Sequence, residues 1–204
     1  MPTRNVVKVY LSDSYYHVYN RGWNLTKIFL DEEDYSFFEY ILNRHLSPEP
    51  QKDKKGREYT QFYPSIELNA YCLMGNHLHM LVYQREKHAI VSLMKSILVA
   101  YTIYFNRKYK RRGALFESTY KAVRIGDDSQ LLHITRYIHL NHGSYKTWRH
   151  SSYRDYLSND GRPFVQPTPI LELFASKKQY EEFVADYEEL QQERDTIKRD
   201  LAAG

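Results

Sequence analysis

The chain has 204 residues, a formal net charge of +4 and a single cysteine. One cysteine excludes an internal disulfide framework and is typical of a reducing compartment, so we expect a cytoplasmic protein. The first 14 residues lack the apolar stretch of a signal peptide, and no run reaches the ~18 apolar residues of a membrane span. The length fits one domain, placed at residues 1–160, followed by a helical extension at 161–204.

The first predicted elements are a strand and a helix. Residues 15–20 are aromatic and β-branched, which predicts the strand. Asp31 stands where a helix N-cap is expected, and apolar residues follow it at helical spacing until Pro48, before which the helix should end. Residues 47–63 hold prolines and lysines without periodicity, which predicts an exposed loop or hairpin insertion.

Two strands and a second helix are predicted next. The strands lie at about 66–74 and 77–84, and the short Gly75-Asn76 link between them favours an antiparallel hairpin. Residues 88–109 have helical spacing, and a basic run closes this helix at the negative end of its dipole. Residues 115–125 are irregular, with room for a short strand.

A further helix is predicted from Asp127, an N-cap candidate, to Gly143. Residues 176–201 have a charged amphipathic pattern, which predicts a helix that packs on the domain, contacts a second copy or covers a binding groove. The order strand–helix–strand–strand–helix, with a fourth strand allowed after it, predicts an α+β fold. We expect a ferredoxin-like antiparallel sheet with helices on one face.

Positive charge is concentrated between Arg107 and Arg124. Seven basic residues and one acid, Glu117, give this segment a net charge of +6, so the rest of the chain sums to −2. Local basicity of this kind indicates a surface for a polyanion, and the alternative is a solvated helix end followed by a charged loop. The 20 tyrosines also suit a wet surface on which bases stack.

The pair His77 and His79 lies in the second strand of the predicted hairpin. Alternate side chains of a strand point to the same face, so the two imidazoles should project together while Leu78, Met80 and Val82 enter a core. Two adjacent imidazoles on a strand form half of a metal site. The alternative is a polar strand face that carries histidine by chance.

The helix predicted to end at Gly143 offers the rest of such a site. Tyr137 and Asn141 are four residues apart and share a helix face. An apolar stripe beside them would press the helix onto the sheet, with the Asn141 carbonyl oxygen at the metal and the Tyr137 hydroxyl next to it. His133 lies on the same side, whereas His139 and His142 are rotated away and are not expected to be ligands.

Six segments, taken together in their order and spacing, resemble the single-tyrosine HUH transposases, in particular the REP-associated branch of the IS200-like transposases. The resemblance covers about residues 10–160, and its segments are Tyr16-His-Val-Tyr-Asn-Arg-Gly22, Ala70-Tyr-Cys-Leu-Met-Gly-Asn-His-Leu-His79, Tyr104-Phe-Asn-Arg-Lys108, Leu115-Phe-Glu-Ser-Thr-Tyr-Lys121, Tyr137-Ile-His-Leu-Asn141 and Ser151-Ser-Tyr-Arg-Asp-Tyr156.

The resemblance implies a role for each of four residues. His77 and His79 would be the metal ligands, Tyr137 the nucleophile, and Asn141 the polar ligand one turn later. The implied reaction is a transesterification in which the tyrosine attacks a DNA phosphodiester, forms a 5′-phosphotyrosine link and releases a 3′-hydroxyl. Two imidazoles and an amide oxygen would suit zinc as well, and the resemblance favours Mg²⁺ or Mn²⁺.

Two positions depart from the family pattern. Gly75 stands where the family commonly has proline, which should be harmless in a turn. His142 stands where proline usually follows the asparagine, and we expect this change to lengthen the end of the helix. Tyr120, beside Lys121 in another family-like segment, is the rival nucleophile, but it has no candidate metal ligand at helical spacing.

The implied substrate is single-stranded DNA near a hairpin, which the protein would grip through phosphates and a few base edges. The candidate phosphate contacts are Arg21, Arg107, Lys108, Lys110, Arg111, Arg112, Lys121 and Arg124.

Three functions stay open at this point. They are a DNA-nicking and joining enzyme, a catalytically silent nucleic-acid-binding protein of the same fold, and a metal-dependent hydrolase without a covalent tyrosine step. The oligomeric state, monomer or homodimer, is also open.

Overall fold

The computed structural model describes residues 10–187. Its elements are β1 (Ser14–Arg21), a 3-10 turn (Trp23–Leu25), α1 (Glu32–Leu46), β2 (Ile66–Met74), β3 (His77–Gln84), α2 (Ala89–Lys108), β4 (Lys121–Arg124), α3 (Asp128–His139), α4 (Tyr153–Leu157) and α5 (Thr168–Leu171). Residues 177–187 are also helical. The rest of the helix predicted to reach 201 lies outside the described residues.

The four strands form one antiparallel sheet in the order β2-β3-β1-β4. This strand order, with α1 and α2 as the connections, is ferredoxin-like, so the predicted fold class is confirmed. The fourth strand lies within residues 115–125, where the sequence allowed a short strand. The β1–β3 register sets Tyr19 opposite His79 and Arg21 opposite His77, so these four side chains share one face of the sheet.

Helices cover both faces of the sheet. On one face α1 and α2 pack over Val18, Leu78 and Met80 in the larger apolar core. On the other, α3 and residues that follow it pack over Ala70 and Leu81. The prediction of helices on one face therefore holds for α1 and α2 only. The reason is that β2 is buried along almost its whole length, so both of its faces require cover.

Local sequence explains both ends of α1. Asp31 is the N-cap, as predicted, and its side chain accepts a hydrogen bond from the Asp34 N–H at 3.1 Å. Three acidic residues occupy the first turn, where the helix dipole favours negative charge. The helix ends at Leu46, two residues before Pro48.

Helix α2 differs from the sequence expectation in one respect. By length and composition alone its 20 residues could cross a membrane, whereas no such segment was expected. In the structure Leu93, Ile97 and Tyr101 are fully buried against the sheet, so its apolar character serves the core.

The chain beyond residue 160 contributes to both cores. Phe164 and Val165 belong to the core under α1 and α2, and Tyr180 and Val184 belong to the core around α3. Residues 158–167 form no helix, so the described part of the extension is only partly helical.

Candidate active site

The two histidines of β3 lie on the face of the sheet that α3 covers in part. The ring centroids of His77 and His79 are 5.1 Å apart and the rings are nearly perpendicular. Between them Leu78 points to the opposite face and is fully buried. His79 is buried and His77 is half-buried, so the pair opens to solvent on the His77 side.

Asn141 reaches this pair from the end of α3. Its Oδ1 lies 3.0 Å from His77 Nε2. Helix α3 ends at His139, earlier than the predicted end near Gly143, so the expectation that His142 lengthens the helix is wrong. The His142 ring instead stacks on Trp148 at 4.0 Å. Asn141 lies in the turn that continues the helix, since its N–H bonds to the Ile138 carbonyl at 3.4 Å.

Tyr137 lies edge-on to the buried imidazoles of the site. Its ring centroid is 5.4 Å from that of His79 and 6.0 Å from that of His17. Leu131 and Ile138, on the buried side of the same helix, fix α3 against the sheet. The Tyr137 side chain is 47% exposed, so a substrate can reach it from solvent.

His17 is the site residue that the sequence did not assign. Its Nε2 lies 2.9 Å from His79 Nδ1, and its ring stacks on both Tyr19 and His79. Burial lowers the pKa of His17 to about 4. Burial, together with the charges of His17 and His77, lowers the pKa of His79 to about 3. Both rings are therefore neutral near pH 7, and one donates a hydrogen bond to the other.

Asn76 contacts the Nδ1 atom of His77, as His17 contacts the Nδ1 atom of His79. Asn76 Oδ1 lies 2.6 Å from His77 Nδ1. An amide oxygen only accepts hydrogen bonds, so His77 carries a proton on Nδ1, and the tautomer with its single proton there presents a lone pair at Nε2. That lone pair faces Asn141 Oδ1, another acceptor. Two lone pairs at this distance repel each other, and a cation bound between His77 Nε2 and Asn141 Oδ1 would remove that repulsion.

The donor set restricts what could be held here. Among residues 10–187 no three His, Cys, Asp or Glu side chains are grouped so that they could hold a metal ion. A cation at this point would therefore have the two β3 imidazoles and the Asn141 amide oxygen as its ligands. Nitrogen and neutral oxygen donors of this kind fit a divalent first-row metal, and Mg²⁺ where substrate oxygens complete its shell.

A cleft of about 360 Å³ opens beside the histidines and includes Tyr19, Arg21, Leu25 and Lys121 in its walls. The Arg21 guanidinium pairs with Glu117, with Nη2 at 2.9 Å from Oε1. Lys121 is exposed, and its Nζ lies 5.8 Å from the centre of the Tyr19 ring. Two of the predicted phosphate contacts, Arg21 and Lys121, thus meet at the cleft.

Arg124 points away from this cleft. It pairs in register with Tyr16, whereas Lys121 pairs with Tyr19. Because side chains alternate along a strand, Lys121 shares the histidine face and Arg124 lies on the α1–α2 face.

The basic residues at the end of α2 differ in whether their charges are exposed or already paired. Arg107, Lys110, Arg111 and Arg112 are exposed. Lys108 is not available for a phosphate, because its ammonium contacts the carboxylates of Asp31, Glu33 and Asp34 at 2.7–2.9 Å. The prediction that Lys108 contacts DNA is therefore wrong, because its charge is already paired within the fold.

The exposed part of the run lies at the same end of the sheet as the histidines. Tyr101 of α2 donates a hydrogen bond to the Ile28 carbonyl at 2.6 Å, and the Ile28 N–H bonds to the Gly75 carbonyl at 2.8 Å. Gly75 lies in the β2–β3 turn, two residues before His77. Helix α2, two turns before its end, and the histidine end of β3 are thus tied to one short segment.

The rival tyrosine is enclosed. Tyr120 is 6% exposed in the core under α2, and its hydroxyl lies 2.6 Å from that of Tyr10. This core is on the face of the sheet opposite to the histidines, so a group bound at His77 cannot reach Tyr120.

The other histidines of α3 have partners of their own. His139 is fully buried and hydrogen-bonded to the hydroxyls of Tyr180 at 2.6 Å and Ser152 at 2.8 Å. His133 is exposed and its Nδ1 accepts a hydrogen bond from Arg136 at 2.9 Å. Neither ring turns to the β3 pair.

Comparison with known proteins shows the fold and a family to which part of the chain is similar. Residues 57–141 match the model of a family described as "Transposase IS200 like". A solved REP-associated tyrosine transposase, bound to a REP hairpin, is 14% identical, with a TM-score of 0.55 over 78% of this chain and 88% of that one. A candidate transposase of Deinococcus radiodurans R1 is 17% identical, with a TM-score of 0.40 over 70% of this chain and 98% of that one. No curated protein sequence matches.

Proposed function

We propose that the chain, whose residues 57–141 match the IS200-like transposase family, cleaves and rejoins single-stranded DNA next to hairpins through a 5′-phosphotyrosine intermediate. One observation carries this proposal. An accessible tyrosine on α3, Tyr137, stands edge-on to the imidazoles of His79 and His17, and Asn141, just beyond the same helix, contacts His77.

In the cleavage step the Tyr137 oxygen bonds to the phosphorus of a phosphodiester and the bond from phosphorus to the 3′-oxygen breaks. The phenolic proton passes to solvent, and the departing 3′-oxygen takes up a proton to become a hydroxyl. The 5′-phosphate remains on the tyrosine as an ester, so its bond energy is retained. Attack by another 3′-hydroxyl reverses the step and seals a strand.

His77 Nε2, His79 Nε2 and Asn141 Oδ1 would hold Mg²⁺ or Mn²⁺. When bound, such an ion polarises the phosphate and stabilises the departing oxygen. The role of this chain's own residues is orientation. Asn76 and His17 engage the two Nδ1 atoms, at 2.6 and 2.9 Å, and leave both Nε2 atoms for the ion.

Two observations support DNA as the partner, namely the positions of the cations and the similarity of fold to a hairpin-bound protein. The related protein of known structure holds a REP hairpin. In this chain Arg21 and Lys121 stand at the cleft, and four exposed cations lie at the end of α2. We propose that the cleft residues contact the strand near the scissile phosphate and that Arg107, Lys110, Arg111 and Arg112 contact the hairpin backbone.

A silent DNA-binding protein of the same fold is the second candidate. The intact set of His77, His79, Tyr137 and Asn141 favours catalysis, since DNA binding alone does not require it. A metal-dependent hydrolase is less well supported, because the carboxylate at the cleft, Glu117, is paired with Arg21 and does not stand free as a base.

The test is to incubate the protein with hairpin-bearing single-stranded DNA and Mn²⁺ and to look for a covalent adduct on a denaturing gel. We expect an adduct that disappears in Tyr137→Phe and His77→Ala and persists in Tyr120→Phe, the matched control for the enclosed rival tyrosine. An adduct that survives Tyr137→Phe would exclude this nucleophile. Cleavage without an adduct would indicate the hydrolase, and binding alone the silent protein.

A further inference from the structure

We propose that the turn formed by residues 22–26 is a nucleobase platform, on which Trp23 stacks with a base of single-stranded DNA beside the scissile phosphate. The proposal rests on the proposed function, since it names a further contact with the same substrate.

The turn exposes two large apolar side chains. Trp23 is 58% exposed and Leu25 is 60% exposed, and among residues 10–187 only Ile103 is a more exposed large apolar residue. Exposure of this apolar surface to water is unfavourable in free energy. Two neighbouring exposed apolar side chains at the edge of a cleft are typical of a binding surface. The two residues also line a hollow of about 570 Å³ that shares Arg21, Leu25 and Glu117 with the histidine cleft.

The backbone of the turn is fixed on both sides. The Gly22 N–H bonds to the Asn76 carbonyl and the Trp23 N–H to the Leu115 carbonyl, both at 2.9 Å. The turn closes so tightly that a Cβ on Gly22 would lie 2.1 Å from the Thr26 carbonyl oxygen. A rigid support of this kind lowers the entropy cost of stacking a ligand on the indole.

The turn also carries backbone strain. Asn24 and Leu25 have φ values of 49° and 59°. The left-handed region is unfavourable for leucine, whose Cβ approaches the following carbonyl oxygen there. Strain that the surrounding structure maintains is concentrated at functional sites. Here the strained residues belong to the turn that exposes the Trp23 and Leu25 side chains.

One side chain joins the platform to the catalytic histidines. Asn76 Nδ2 donates to the Leu25 carbonyl at 3.3 Å, and Asn76 Oδ1 accepts from His77 Nδ1 at 2.6 Å. Only Asn76 therefore separates the platform from His77. A nucleotide next to a phosphate bound at His77 would lie at this distance from the site.

Charge selects a nucleobase over an apolar protein partner as the occupant. Arg21 and Lys121 line the hollow and the adjoining cleft and outnumber the one carboxylate that lines them, Glu117, and Lys27 follows the turn in the sequence. A single strand brings flat apolar bases together with phosphates, and this combination matches an exposed indole among cations.

The chain suits a fluorescence test because it has two tryptophans, Trp23 and Trp148. Trp148 is half-buried, with its indole N–H bonded to the Leu73 carbonyl at 3.0 Å. We would titrate the full chain and Trp23→Ala with hairpin DNA whose single-stranded flank is intact or carries one abasic position. The difference in emission between the two proteins reports Trp23 alone.

We expect intact DNA to quench the Trp23 emission. Among the DNAs with a single abasic position, we expect the quenching to be lost only when that position is one of the one or two nucleotides that stack on Trp23. Trp23→Ala should weaken binding about tenfold, within the range for one stacked base, while Trp23→Phe should stay within about threefold of the native chain. The matched control is Ile103→Ala, an equally exposed apolar residue on the outer side of α2, which should leave binding unchanged.

Binding of Trp23→Ala within twofold of the native chain, or equal quenching by every abasic DNA, would overturn the platform. The covalent adduct at Tyr137 would still form in that case, so the proposed function would stand. Failure of the native chain to bind hairpin DNA would instead refute both.

Discussion

His17 Nε2 lies 2.9 Å from His79 Nδ1, which joins a buried imidazole of β1 to a candidate metal ligand of β3. Only one tautomer of this pair leaves His79 Nε2 with a lone pair, namely the one in which His79 Nδ1–H donates to His17 Nε2. In that state His17 is the acceptor that orients the ligand. The stacking of the two rings, with centroids 5.1 Å apart, limits rotation of the His79 ring.

We therefore expect His17→Ala to lower the affinity for Mn²⁺ about 10- to 100-fold, the usual loss when a residue that orients a metal-ligating histidine is removed. His17→Gln keeps an acceptor and should recover part of the affinity. Calorimetric titration of the DNA-free protein with Mn²⁺ measures the loss directly. Equal affinity in His17→Ala and the native chain would mean that His17 only fills space.

The exposed cations of the α2 end should act through the phosphate backbone. Arg111→Ala and Arg112→Ala are expected to weaken binding of hairpin DNA similarly for every sequence, and each should reduce the slope of log affinity against log salt by about 1. Fluorescence anisotropy at four salt concentrations gives the slope. A change in affinity that depends on the base sequence, with an unchanged slope, would contradict a phosphate contact.

Lys108 provides the internal control for that series. Its ammonium contacts three carboxylates, one of which, on Asp34, is fully buried. Lys108→Met should cost about 1–2 kcal/mol of unfolding free energy, because it leaves a buried carboxylate without its cation, and should leave the salt slope of DNA binding unchanged. Urea unfolding and the same anisotropy assay measure the two quantities. A slope reduced as in Arg111→Ala would return Lys108 to the DNA-binding set.

The parts of the fold that the sequence predicted well depend on local patterns. Strands β2 and β3 have the predicted bounds because alternation and the Gly75-Asn76 turn are both readable over a few residues. Tyr137 and Asn141 both lie against the β3 histidines, Tyr137 at His79 and Asn141 at His77, because a spacing of four residues is about one helical turn.

The parts that were missed depend on contacts between distant segments. His17 meets His79 only through the β1–β3 register, across 62 residues of sequence. Lys108 looks like any other member of a basic run until the fold brings Asp31 and Asp34 to it from more than 70 residues away. Likewise, Arg124 and Lys121 differ in face only because β4 pairs with β1 in a particular register.

A pH effect on stability should arise at His150. This imidazole is 4% exposed, lies 3.0 Å from a Glu32 oxygen and 3.3 Å from a Glu39 oxygen, and stacks on Tyr35. Burial alone would lower the pKa of His150, but the hydrogen bonds and charges of Glu39 and Glu32 outweigh burial and raise it above its ordinary value.

Because the folded state binds this proton more tightly than the unfolded chain does, the contribution of protonated His150 is complete below the unfolded pKa of ~6.5. It is lost as the pH rises through the raised folded pKa. The stability difference between the native chain and His150→Gln should therefore be largest at pH 6 and fall by pH 8.5. Urea unfolding at four pH values measures it, with His133→Gln, an exposed histidine, as the control. A difference that stays constant or grows with pH would show that His150 is not held as a cation by the two glutamates.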